Sequence, residues 1–124
     1  MFPETLLEVL NHEAPVAIAT QGEGGPHLCN TWNSYVQVSG EDTLILPAGG
    51  LHTTEANVAR DNRIRMSLAS RQVKGKNGGQ GTGFLLTGRA TFHFEGPYFE
   101  KVKARFSWAR AAVVVKVETA EQTL

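Results

Sequence analysis

A chain of 124 residues with 41% hydrophobic and 19% charged content is one globular domain, long enough to bury roughly two-thirds of its unfolded surface. Twelve basic residues cancel twelve acidic ones, so no net field draws the chain toward nucleic acid or anionic lipid, and nothing opposes self-association. A lone cysteine excludes an internal disulfide, no apolar run approaches the ~20 residues of a membrane span, and Met1-Phe2-Pro3-Glu4 lacks the basic start of a signal peptide; the expectation is a cytoplasmic protein.

Phe2, Leu6, Val9 and Leu10 recur at helical spacing and predict a short helix ending near Asn11. Val16–Thr20 reads as a buried strand, followed by a glycine turn over 22–26. The next strand is expected from His27 to Val38, with Leu28, Asn30, Trp32, Ser34, Val36 and Val38 on one face. Its middle, Asn30-Thr-Trp-Asn-Ser-Tyr35, is polar for a strand, so those groups need partners from the protein or from a ligand. A third strand covers Thr43–Pro47.

The stretch Pro47–Arg60 then places a turn at Gly49-Gly50 ahead of a helix starting near Thr54. Two readings fit it: a threonine-capped helix, or a helix start whose free N–H groups take a phosphate. Ile64, Met66 and Leu68 alternate in a fourth strand. Residues 71–83, rich in glycine, read as a mobile loop without a phosphate-loop or dinucleotide pattern. Phe84 to Phe94 alternate in a long fifth strand, with Gly88 a bend or bulge. Phe99, Val102 and Phe106 mark a helix after Gly96-Pro97, Trp108 follows it, and valine-rich 111–118 forms a last strand before a tail over 119–124. Six strands and three short helices, with no repeat and no linker, make a mainly β single domain: a small antiparallel barrel with helices plugging its ends.

The four histidines lack metal-ligand spacing, Cys29 has no partner in a Cys-x-x-Cys pair, and no Gly-x-Ser-x-Gly elbow or carboxylate pair appears. Glycines, hydroxyls, amide donors and two tryptophans remain, an inventory suited to a planar anionic cofactor that carries the chemistry itself.

Asn30-Thr-Trp-Asn-Ser-Tyr35, Gly49 through Asp61, Gly81-Thr-Gly-Phe84, Trp108-Ala-Arg-Ala-Ala112 and Ala120-Glu-Gln-Thr-Leu124 together resemble the pyridoxamine-phosphate-oxidase-like split-barrel family of flavin proteins, nearly end to end. The resemblance implies a six-stranded antiparallel split barrel, a homodimer, and non-covalent FMN at the interface. It implies that Asn30, Thr31 and Trp32 line the flavin, that Pro47, Ala48, Gly49 and Gly50 approach its ring and ribityl chain, and that Thr53 and Thr54 take its phosphate. Trp108 and Leu124 would come from the partner subunit, and Glu13 matches an acid near the flavin. One departure stands out: the family commonly carries lysine where this chain has Thr53, so Arg71 or Arg110 would have to supply the cation, or FMN would bind more weakly. Three functions follow from these residues: an electron carrier serving an unidentified redox protein, a flavin reductase or oxidase using NAD(P)H or a small organic substrate, and a split barrel that binds haem or another ligand or serves as an interaction module.

Overall fold

The computed structural model describes residues 2–124. In chain order it contains α1 (Glu4–Leu10), β1 (Pro15–Gly22), β2 (Gly25–Trp32), a short 3-10 turn (Asn33–Tyr35), β3 (Gln37–Ser39), β4 (Thr43–Ala48), α2 (His52–Arg60), β5 (Arg63–Lys74), β6 (Gln80–His93), α3 (Pro97–Arg105) and β7 (Ala111–Gln122). All strand pairs are antiparallel, in the order β2-β1-β5-β6-β7-β4-β3.

The described residues form seven strands rather than six, because the strand expected over 27–38 breaks in two. Burial falls on Thr31, Asn33 and Val36, a change of phase that strict alternation cannot carry. Asn33 causes the break. Its N–H donates to Ala14 O (2.9 Å). Its buried Nδ2 donates to Val9 O (3.2 Å), His12 O (2.8 Å) and Ala69 O (3.3 Å), which ties the end of α1 to β5. The break also shapes the sheet. β2 and β3 are its two edges, about 29 Å apart if seven strands lay flat, yet only 33–36 join them, a reach of about 17 Å. The sheet must therefore curl, which makes it a split barrel with β2 and β3 at the opening.

Gly88 is the expected bulge: the β6–β7 register shifts between Thr87 and Gly88. A Cβ there would run into Lys116 O, so only glycine lets β7 cross so closely. The glycine-rich loop is shorter than expected. β5 runs on to Lys74 and β6 begins at Gln80, leaving 75–79 as the hairpin loop. The tail is mostly strand as well, since lengthened β6 offers Phe84, Leu85, Leu86 and Thr87 as partners for Gln122 back to Thr119.

Inside the curl lie Leu6, Val9, Val16, Ile18, Leu44, Leu46, Met66, Leu86, Val113 and Val115, with α1 as a plug. α3 does not plug an end. Val102 packs with Ile45, Ala109 and Ala112 in a second cluster on the outside of β4 and β7. β4 is thereby buried on both faces, which explains its unbroken apolar run.

Candidate ligand-binding site

β4 carries Pro47 and Ala48, both buried and paired with Ala112 and Ala111, to an exposed turn at Gly49 and Gly50. Leu51 then adopts a left-handed conformation (φ 59°), alone among the described non-glycine residues. Its side chain packs against the core, which offsets the roughly 1–2 kcal/mol that this conformation costs. α2 begins at His52, two residues earlier than expected, and no side chain caps it. The threonine-cap reading therefore fails. Thr54 turns inward, buried, with its hydroxyl 3.3 Å from Cys29 Sγ, while Thr53 is exposed. Glu55 is the first residue to donate along the helix, to Leu51 O (2.9 Å). The N–H groups of His52, Thr53 and Thr54 thus point out of the helix end without a partner among the described residues.

Arg110, just before β7, braces this turn. Its backbone N–H donates to Ala48 O (2.8 Å). Its Nε and Nη2 donate to Gly50 O (2.9 and 2.7 Å), and Nη2 lies 2.8 Å from Glu55 Oε1. The start of α2 consequently combines free backbone donors, the positive end of a helix dipole and a guanidinium, a donor set that fits a phosphate. Above Gly50 the space is open: a Cβ there would meet nothing within 4 Å.

β2 comes alongside through the Cys29–Thr54 contact, and Thr31 follows two residues on, buried on the same face. Asn30 and Trp32 lie on the alternate, exposed face, and Asn30 Nδ2 donates to Val16 O (3.2 Å). Trp108 covers Gly49 of its own chain, where a Cβ would sit 3.1 and 3.2 Å from the indole Cζ3 and Cε3. The ring is tilted against Tyr35 (5.6 Å between centroids) and Phe106 (5.5 Å), with 51% of the residue exposed. Thr31, Pro47, Ala48, Gly49, Gly50, Thr53, Thr54 and Trp108 are therefore neighbours within one chain.

Leu124 is not among them. It lies past the far end of β7 from Trp108, roughly 35 Å along the strand. There Leu124 O accepts from Thr82 Oγ1 (2.9 Å) and Lys76 N (3.1 Å). Arg71 lines a cavity of about 250 Å³ with Leu124, Ala14 and Thr82, so of the two candidate cations Arg110 alone stands at the start of α2. A further cleft of about 340 Å³, between Arg63, Arg65 and Gln21, lies on β1 and β5, away from this site. Glu13 accepts from the Ser34 hydroxyl (2.6 Å) and the Ser34 N–H (3.0 Å), and these bonds hold its carboxyl below the usual range. The Glu55 partner of Arg110 was missed as part of the site, as were Tyr35 and Phe106 beneath Trp108. The Arg110–Glu55 and Tyr35–Trp108 contacts join residues far apart in sequence, and no local spacing signals them.

Fold and site together define a split-barrel protein with an open, donor-rich helix start beside an exposed indole. The chain belongs to the pyridoxamine 5'-phosphate oxidase family, whose pattern matches residues 2–123. It is 60% identical, over the full length of both chains, to the FMN-binding protein of Nitratidesulfovibrio vulgaris (strain DSM 19637 / Miyazaki F). Its fold is similar to HupZ of Group A Streptococcus (TM-score 0.81, 18% identity, covering 98% of this chain and 94% of that one). It is also similar to an FMN-binding protein of Syntrophomonas wolfei subsp. wolfei (TM-score 0.73, 17% identity, 98% and 85%). At such identities these two likenesses speak to fold alone.

Proposed function

We propose that this chain binds FMN non-covalently and acts as a small electron carrier in a homodimer. The observation that carries FMN binding is the unpaired donor set at the start of α2, beside Arg110 and the open side of Gly50, in a chain 60% identical to an FMN-binding protein. Bound FMN would supply the one- or two-electron chemistry. The protein's part is to hold and shield it: the N–H groups of His52, Thr53 and Thr54 receive the phosphate, Thr31 and the Gly49–Gly50 backbone approach the rest, and Trp108 limits water on one side.

Two features support a dimer. Trp108 lies against Gly49 of its own chain, whereas Leu124 sits at the opposite end of β7, so a site that uses both draws them from different subunits. Leu28 (70% exposed) and Trp32 (45%) also leave apolar surface on edge strand β2 for a second copy to cover.

The test is reconstitution of the apoprotein with FMN. Quenching of flavin fluorescence and a perturbed visible spectrum are expected, and a protein that leaves FMN fluorescence unchanged would refute the reading. Trp108→Ala should weaken FMN binding by about 1–3 kcal/mol through lost stacking and burial. Rapid anaerobic bleaching by NAD(P)H would mark a reductase instead, while reduction only by a protein donor marks a carrier.

A further inference from the structure

We infer that the Arg110–Glu55 ion pair sets how tightly this chain holds a phosphate monoester at the start of α2, with the Glu55 carboxylate competing against the phosphate for Arg110. The inference rests on the FMN reading above and assigns roles to two residues that reading leaves out.

Arg110 is fixed independently of Glu55. Its backbone N–H is tied to Ala48 O, and Nε and Nη2 both donate to Gly50 O. The guanidinium therefore stays at the turn whether or not the carboxylate is present. The guanidinium lies 5.9 Å from the Phe94 ring centroid, and Nη1 has no hydrogen-bond partner among the described residues, which leaves a donor edge on a group already aligned with the helix end. Glu55 is the fourth residue of α2, and its carboxylate reaches Arg110 Nη2 at 2.8 Å. It is an internal anion at a place built to attract one. The two side chains are 26% and 35% exposed, so their attraction is less screened than at an open surface, and both remain within reach of a ligand.

A phosphate arriving at the free N–H groups meets one cation and one anion. Arg110 strengthens its binding through charge-assisted hydrogen bonds, and Glu55 weakens it by repulsion and by occupying Nη2. Position 53 holds threonine and adds no charge, so the positive side-chain charge placed at this helix end is that of Arg110. The pair acts on the phosphate and not on the flavin ring. FMN and riboflavin must therefore respond differently.

The experiment titrates apoprotein, wild type and variants, with FMN and with riboflavin by fluorescence quenching. Arg110→Gln removes both a charge and the brace on Gly50 O, so it should weaken FMN about tenfold more than it weakens riboflavin, the weight of one charge-assisted hydrogen bond. Glu55→Gln should tighten FMN about two- to fivefold relative to riboflavin. Adding Thr53→Lys to Arg110→Gln should restore FMN affinity. Equal loss of FMN and riboflavin in Arg110→Gln would show a strut for the turn and overturn the proposal, as would unchanged or weaker FMN binding in Glu55→Gln. If Arg110→Gln loses its far-ultraviolet circular dichroism, the Glu55→Gln arm decides alone. A wild type that binds neither flavin would defeat the FMN reading itself, whereas a wild type that binds FMN with a neutral Glu55→Gln defeats only the role of the pair.

Discussion

Gly49 and Gly50 are adjacent and exposed, and substitution by alanine should separate their roles. Neither adopts a left-handed φ, so alanine meets no backbone penalty at either position and gains about 0.4–1 kcal/mol from a stiffer unfolded chain. At Gly49 the new Cβ would stand 3.1 Å from Trp108 Cζ3 and 3.2 Å from Cε3, against the roughly 3.5–4.0 Å of an unstrained carbon contact. The indole must retreat by about 0.4 Å, loosening its contacts with Tyr35 and Phe106, at a cost of about 1–2 kcal/mol. Gly49→Ala should therefore lower apoprotein stability by up to about 1.6 kcal/mol net. At Gly50 the Cβ meets nothing, and Gly50→Ala should be neutral or stabilise by up to about 1 kcal/mol. Yet Gly50→Ala should weaken FMN, because its Cβ enters the space assigned to the ligand. Urea denaturation followed by tryptophan fluorescence gives the first comparison, and FMN titration the second. Wild-type FMN affinity in Gly50→Ala would show that the turn does not face the ligand. An unshifted tryptophan emission and midpoint in Gly49→Ala would disprove the indole contact.

Gly88→Ala should cost about 3 kcal/mol or more, since its Cβ would press on the Lys116 carbonyl and Val117 Cα, backbone atoms that move only if the β6–β7 ladder opens; a wild-type urea midpoint would count against the bulge. Asn33→Ala removes the donor shared by the Val9, His12 and Ala69 carbonyls and should lose about 2–3 kcal/mol in the same assay, more than an exposed asparagine could lose. The Arg63 side chain and N–H hold Asp61 down to about 2 from 3.8. A depressed carboxyl stabilises the fold above its unfolded value, so this contribution is present above about pH 4 and fades as pH falls toward 2. Asp61→Asn should differ most from wild type near neutral pH and converge with it in that acid window, and a gap that stays constant down to pH 2 would refute the pairing.

Most elements could be read locally. Helix α1 shows its apolar spacing, and β4, the first part of β5, and β6 announce themselves by composition or alternation, because burial on one face imposes a period on neighbouring residues. Gly88 was legible for a related reason: glycine inside an alternating strand has few uses other than a close approach. The strand over 27–38 misled, because Asn33 continues the alternation while its side chain binds three carbonyls from two distant segments. The lengths of β5, β6 and β7 were also hidden, since polar and glycine-rich residues enter a strand only when a partner ladder is there to receive them.

The turn at Gly49–Gly50 and the helix beyond it belong to what the amino-acid order determined by itself, for glycine and a following helical period are local properties. Where that helix starts, which way Thr53 and Thr54 face, and what stands beside them were decided by tertiary structure. Leu51 holds its left-handed conformation because its side chain is packed into the core, and Arg110 arrives from sixty residues away because β7 pairs with β4. Ion pairs and packing contacts of this kind depend on distances in space, and the linear sequence carries no measure of those.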